Sequence, residues 1–296
     1  MDPPVEAARL LLGPVPGGAC VGAFLDLDRT LIAGYSALAF GRDLLRSGRV
    51  DWWDLPGGLS HAIGAARGGD AFTALAETAA DLLAGVREAT LREIGERLFE
   101  AEYRQRIHPE ARELVAQHRA LGHTLVIASA ATAYQVFPIA RSLGVDHVLC
   151  TRLETFFGRI TGRVEIACWG EGKLAAVRRF AGERGIDLAE SFFYSDGHED
   201  LPLLRAVGRP RPTNPDASLE RVAREAGWQV LRFEQRRAPT ALELVRPLLA
   251  RGPWRPAREI LRDLVDEPVR AGFRVARLAR RLRRRFDPES GSRGRP

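Results

Sequence analysis

Apolar positions along the chain follow two rhythms. Residues 21–27, VGAFLDL, form a short apolar run that ends in acids, the pattern of a strand buried on both faces. Residues 36–106 hold no comparable run. Their apolar positions recur at helical spacing over 37–47, 58–66, 71–85 and 88–103, with Gly, Pro and Asp at the joins, which predicts a small helical insert. From residue 108 onward the two rhythms alternate. His108-Pro109 opens a helix to about 121, residues 123–129 (HTLVIAS) read as a second buried strand, and 132–143 as a helix ended by Gly144. A third strand at 145–150 precedes a hairpin pattern over 153–166, LETFFGRITGRVEI, with its two glycine-containing turns. A helix over Gly172–Arg184, a strand at 190–195, a short helix at 199–207, a Pro-rich strand at 208–213, a helix at 216–226 and a last strand at 228–233 follow. Such alternation predicts an α/β fold. Its core is a Rossmann-like, mostly parallel sheet covered by helices on both faces, with a helical insert after the first strand.

Composition changes this picture in three places. The chain of 296 residues is 45% hydrophobic, which excludes disorder throughout. It has no apolar stretch of about eighteen residues free of charge, Pro and Gly, and the first residues do not read as a signal peptide. Cys20, Cys150 and Cys168 are far apart and odd in number, so neither a zinc site nor a disulfide framework is expected, and a cytoplasmic setting is. The formal charge of +6 is misleading, because residues 251–296 hold fourteen Arg against six acids. That segment's +8 leaves the preceding 250 residues at −2, so no nucleic-acid partner is expected for the body. Among 44 basic residues only one is Lys, Lys173; a lone Lys in an Arg-rich chain is either an accident of composition or a position that needs a compact ammonium in place of a planar fork.

In a parallel α/β sheet the site lies at the carboxyl ends of the strands. Asp26 and Asp28 end the first strand within DLDRT, Ser129 ends the second, and Asp196 ends the fourth with Asp200 four residues later. Lys173 opens the helix after the hairpin. Clustered carboxylates repel each other unless a cation neutralises them, and hard oxygen ligands suit Mg²⁺. One carboxylate can attack phosphorus, a second can carry the proton, and Ser and Lys can donate to phosphoryl oxygens.

These residues resemble the haloacid dehalogenase superfamily, in its phosphoserine-phosphatase-like branch (subfamily IB). DLDRT at 26–30, Ile127-Ala128-Ser129, Lys173 within WGEGK at 169–173, and SDGHEDLPLL at 195–204 match its four motifs in order. The resemblance implies a Mg²⁺-dependent phosphatase that forms an aspartyl-phosphate on a small phosphorylated metabolite. It makes Asp26 the nucleophile and Asp28 the acid and base, with Thr30 orienting Asp28. Ser129 and Lys173 would hold the phosphoryl group. Asp26, the Asp28 carbonyl and Asp196 would bind Mg²⁺, and Asp200 would support the metal or Lys173. Tyr35, followed by Ser36, stands where phosphoserine phosphatases place an amine-reading Glu. Tyr35, Ser36 and Arg42 are therefore candidate substrate-reading residues, and a substrate other than phosphoserine is expected. Phosphoserine itself, transfer to an acceptor other than water, and a non-catalytic binding protein remain alternatives.

The expected organisation is an N-terminal segment at 1–20, a core over 21–34 and 107–235, a helical cap over 35–106, a basic helical extension at 236–286 and a disordered tail at 287–296. In the extension, Val275, Leu278, Ala279, Leu282 and Phe286 share one helical face and Arg crowds the rest. Residues 270–286 therefore suit peripheral contact with an anionic membrane at its inner face, and equally a nucleic acid or an acidic partner, or a plain solvated helix. His61, His118 and His123 read as structural or surface residues, and His198 as an exposed loop residue.

Overall fold

The computed structural model describes residue 12, residues 15–50 and residues 71–234. The expected helix at 58–66, His61, the basic extension and the tail lie outside these residues. No helix among the described residues is long and apolar enough to cross a membrane.

Six strands form one sheet: β1 (Gly22–Leu25), β2 (Thr124–Thr132), β3 (His147–Phe156), β4 (Arg159–Ile166), β5 (Phe192–Ser195) and β6 (Arg209–Pro212), in the order β4-β3-β2-β1-β5-β6. All neighbours are parallel except β3 and β4. The sheet is the expected mostly parallel α/β core; β1 lies between β2 and β5, and all four of its residues are buried. Its helices are α1 (Ser36–Arg46), α2 (Ala71–Asp81), α3 (Glu88–Leu98), α4 (Pro109–Ala120), α5 (Ala133–Leu143), α6 (Gly170–Arg184), α7 (Leu201–Ala206) and α8 (Ala217–Glu225). Strand alternation divides the side chains of β5 between two layers. Phe193 joins Phe24, Val126, Val177, Leu203 and Leu219 in the apolar core on one face. Phe192 and Tyr194 turn to the other face, against His118 of α4.

Three local expectations change. The third strand and the first arm of the hairpin are one strand: β3 pairs with β2 through Thr151, then with β4 from Arg152. The expected strand at 228–233 is reduced to a single bridge between Thr213 and Leu231. The N–H groups of Arg209 and Thr213 turn inward to Ser191 O (3.0 Å) and Ser195 O (2.8 Å), so positions 210 and 212 face outward. Both are Pro, so β6 itself offers no outward N–H, and the segment is held only where Leu231 N donates to Pro212 O (2.8 Å) and Asn214 N, just past β6, to Leu231 O (2.9 Å).

The third concerns the insert. Within the described residues, one compact unit takes in the chain up to Phe40, Val86–Ile160 and from Val164 on; the other takes in Gly41–Gly85 and Thr161–Arg163. The expected insert of 35–106 is thus shared, with α3 on the sheet side. Gly95 is the local reason. A Cβ there would lie 1.9 Å from Tyr134 O, so only Gly lets α3 press against the start of α5.

His118 and His123, read as structural or surface residues, are both buried. His118 Nδ1 lies 2.7 Å from His123 Nδ1, His118 Nε2 2.8 Å from the Tyr194 hydroxyl, and His123 Nε2 2.8 Å from Pro16 O. One neutral assignment satisfies all three bonds. His123 Nε2–H donates to Pro16 O, His118 Nδ1–H donates to His123 Nδ1, and the Tyr194 O–H donates to His118 Nε2. Burial, with His123 and Arg211 nearby, pushes His118 down to about 3. The unfolded chain therefore binds a proton that the folded chain refuses, and this contribution to stability is lost as pH falls from about 6.5 toward 3. By pH 5 the expected loss is about 2 kcal/mol. Asp28 and Asp196 act in the opposite sense in part of that window, since burial raises both. The difference in urea midpoint between wild type and His118→Gln, at pH 7 and pH 5, isolates the imidazole. An equal shift in both proteins would contradict the assignment.

Candidate active site

Leu25 ends β1 and pairs with Ile127 on one side and Tyr194 on the other, so the carboxyl ends of β1, β2 and β5 form one rim. Asp26 is the next residue, its N–H bonded to Tyr194 O at 2.9 Å. The chain then curls back: Leu31 N and Ile32 N both donate to Leu27 O (2.9 and 3.0 Å), and Arg29 N donates to Gly34 O at 3.1 Å. This tight loop sets Arg29 at φ 61°, in the left-handed region, with Gly34 also at positive φ.

Lys173, in the first turn of α6, reaches the same rim. Its Nζ donates to Asp26 Oδ1 at 2.8 Å and to Asp200 Oδ2 at 2.7 Å, and the residue is 2% exposed. Ser195 Oγ donates to the same Asp200 oxygen at 2.6 Å. Burial alone would push the ammonium down, but the Asp200 and Asp26 carboxylates outweigh it and hold Lys173 above its usual range. Burial pushes the Asp26 carboxyl up, against the pull of Lys173 and with the push of Asp200 and Asp196.

Asp28 has a different setting. Ser36, the first residue of α1, donates its N–H to Oδ1 (2.7 Å) and its hydroxyl to Oδ2 (3.1 Å), placing the carboxylate on a helix N-terminus. Burial, opposed by these bonds and by Arg106 and Lys173, leaves Asp28 at about 6. Ser36 itself is fixed twice. Its hydroxyl accepts from Gln135 Nε2 (3.2 Å) and its carbonyl from the Tyr103 hydroxyl (2.9 Å). Gln135 Oε1 in turn accepts from the Thr132 N–H and hydroxyl at the start of α5.

Several sequence readings shift here. Thr30 was expected to orient Asp28; its hydroxyl instead donates to Asp196 Oδ1 at 3.4 Å, and Ser36 orients Asp28. Ser36, read as a substrate-facing residue, is fully buried and belongs to this support. Asp200 holds Lys173, and its Oδ1 is buried without a hydrogen-bond partner. Ser129, buried at the rim, does not end β2, which runs on to Thr132 past a register shift; its Oγ accepts from Ala131 N at 3.1 Å. Tyr35 is 48% exposed. Arg42 belongs to the second unit. His198 is exposed, as expected, and so is Glu199 beside it. Arg29, Gln135, Tyr103 and Ser195 carried no expectation. Only Gln135 had a visible signal, since Thr132 and a Gln three residues on form a capping box.

Among the described residues no three His, Cys, Asp or Glu side chains are gathered into a metal cage. The donor set nonetheless fits a hard divalent ion. Among the described residues, Asp26, Asp28, Asp196 and Asp200 have Lys173 and Arg29 as ion-pair partners, while Arg106, which also acts on Asp28, is paired with Glu102; Asp26, Asp28 and Asp196 are all pushed up, Asp196 to about 7 by burial against the pull of Arg29. With one orphaned buried oxygen on Asp200, the rim has more negative charge than its two cations balance.

The model of the haloacid dehalogenase-like hydrolases matches residues 23–205, and the chain belongs to that family. Within it the protein stands with the phosphoserine-phosphatase-like phosphatases, hydrolases of phosphoric monoesters. A phosphoserine phosphatase of Mycobacterium tuberculosis is 33% identical over 256 residues, covering 82% of each chain. A histidinol-phosphatase of Neisseria meningitidis is 34% identical over 224 residues, 72% of this chain and 98% of its own. A solved structure from Bordetella pertussis, of unknown function, is 31% identical with a TM-score of 0.61, covering 72% of this chain and 98% of that one.

Proposed function

We propose that the protein is a Mg²⁺-dependent phosphomonoesterase that acts on a small phosphorylated metabolite through a phosphorylated Asp26. The observation that carries this reading is the separation of two neighbouring carboxylates. Asp26 is pinned by an ammonium at 2.8 Å, whereas Asp28 rests on a helix N-terminus at about 6, close enough to neutrality to carry a proton both ways. Asp26 attacks phosphorus in line as the ester P–O bond breaks, and Asp28 gives its proton to the departing oxygen. Asp28 then takes a proton from water, which attacks the same phosphorus; the bond to Asp26 breaks and phosphate leaves. Lys173 and the Ser129 hydroxyl donate to the phosphoryl oxygens, where charge is concentrated. Asp26, the Asp28 carbonyl and Asp196 would hold Mg²⁺, which neutralises carboxylate and phosphoryl charge when bound. Ser36, Gln135 and Tyr103 aim Asp28.

A panel of phosphomonoesters assayed for released phosphate, with Mg²⁺ and with EDTA, tests this reading. Release that needs Mg²⁺ supports it. Accumulation of a new ester in place of phosphate points to transfer to another acceptor, and no turnover of any ester opposes it.

The substrate is expected not to be L-phosphoserine. Similar identity to a phosphoserine phosphatase and to a histidinol-phosphatase leaves the amine-bearing part open. Tyr35 offers a phenol already shared with Arg29, 3.3 Å away, at the position where an ammonium would meet a carboxylate. Losing a charge-assisted bond of that kind costs about 1.5–3 kcal/mol, or roughly 10- to 150-fold in kcat/KM. Phosphoserine at the top of the panel would mean that another residue reads its amine.

A further inference from the structure

Asp196 is already occupied by the protein's own groups. Thr30 Oγ1 donates to Oδ1 at 3.4 Å, and Arg29 Nη1 lies 2.9 Å from Oδ2. The guanidinium is 36% exposed and the carboxylate 9%, so Arg29 reaches from the solvent side to a buried acid. Arg29 is held there by a backbone conformation that side-chain-bearing residues seldom adopt, and such strain gathers at functional positions. The second partner of Arg29 is Tyr35. Nη1 lies 3.3 Å from its hydroxyl and the guanidinium carbon 5.9 Å from its ring centre. A guanidinium has five N–H donors, so it can leave Asp196 and keep Tyr35.

We propose that Arg29 is an internal cation that occupies Asp196 in the metal-free protein and yields that carboxylate to the divalent ion while keeping its contact with Tyr35. The inference rests on Asp196 being a ligand in the function proposed above. Two cations then compete for one carboxylate, and the enzyme without metal keeps a buried acid neutralised. Metal binding delivers a released, half-exposed guanidinium beside Tyr35, where an anionic substrate enters. Arg29 on this account is a positioning residue that couples metal occupancy to the charge presented on the solvent side.

The test is a calorimetric titration of EDTA-treated full-length wild type and Arg29→Gln with Mg²⁺. Removing the competitor is expected to tighten Mg²⁺ binding about fivefold, the equivalent of one half-exposed ion pair. In wild type, phenylglyoxal labelling of Arg29, mapped by mass spectrometry, is expected to speed up when Mg²⁺ saturates the site. Equal or weaker Mg²⁺ binding by Arg29→Gln, or labelling indifferent to Mg²⁺, overturns the proposal and leaves the phosphatase reading intact. Absence of Mg²⁺ binding by wild type overturns both.

Discussion

Replacing Asp26 by Asn is expected to lower turnover by on the order of 10⁴-fold or more while the protein stays folded. Asn has nearly the shape of Asp but no nucleophilic carboxylate, so the covalent step has no starting group. The fold has no reason to fail. Asn Oδ1 can still accept from Lys173 Nζ, and one of the mutually repelling buried acids around that ammonium is removed. The thermal midpoint should therefore stay level or rise as activity vanishes, a combination that misfolding cannot produce. Phosphate release within tenfold of wild type, on the best substrate of the panel, would remove Asp26 from the nucleophile's role.

The parts of this site that the sequence disclosed are those that depend on strand ends. Gly22–Leu25, Thr124–Ser129 and Phe192–Ser195 are nearly continuous apolar runs, and only a sheet core buries such runs on both faces, so the polar residues that stop them fall on one rim. What stayed hidden depends on contacts between elements. The periodicity of 88–98 announces a helix but not its neighbour; the Cβ-free face at Gly95 decides that, against Tyr134 O. The alternation at 228–233 reads as a strand, and the obstacle lies in another segment, in Pro210 and Pro212 on the edge it would have joined. Ser36 lies eight residues from Asp28 and meets it only because the loop turns through Arg29 and Gly34, both at positive φ. A non-glycine residue in that conformation leaves no trace in hydrophobic patterning, so the Arg29–Asp196 pair could not be foreseen.

Lys173→Arg keeps the charge and is expected to lose on the order of 10²-fold or more in kcat/KM. The ammonium is 2% exposed and meets Asp26 Oδ1 and Asp200 Oδ2 at 2.8 and 2.7 Å from a single atom, while Ser195 fills a further position on Asp200. A guanidinium spreads its donors over a wide plane. To satisfy Asp200 it must push Asp26 aside, and the reacting carboxylate then moves by a distance comparable to the tolerance of an in-line attack. Overpacking adds about 1–3 kcal/mol of destabilisation, visible as a lowered thermal midpoint. Lys173→Met separates shape from charge. It leaves Asp26 and Asp200 buried without their shared cation, at a cost of about 3–5 kcal/mol, partly relieved if one carboxylate takes up a proton. Both variants should be strongly impaired, but stability should depend on pH differently. The Met protein should gain stability as pH falls through the raised carboxyl range, because protonation removes an unpaired buried charge; the Arg protein should gain less. Near-normal kinetics of Lys173→Arg would mean that the chain's only lysine is an accident of composition and that Asp26 needs no compact cation beside it.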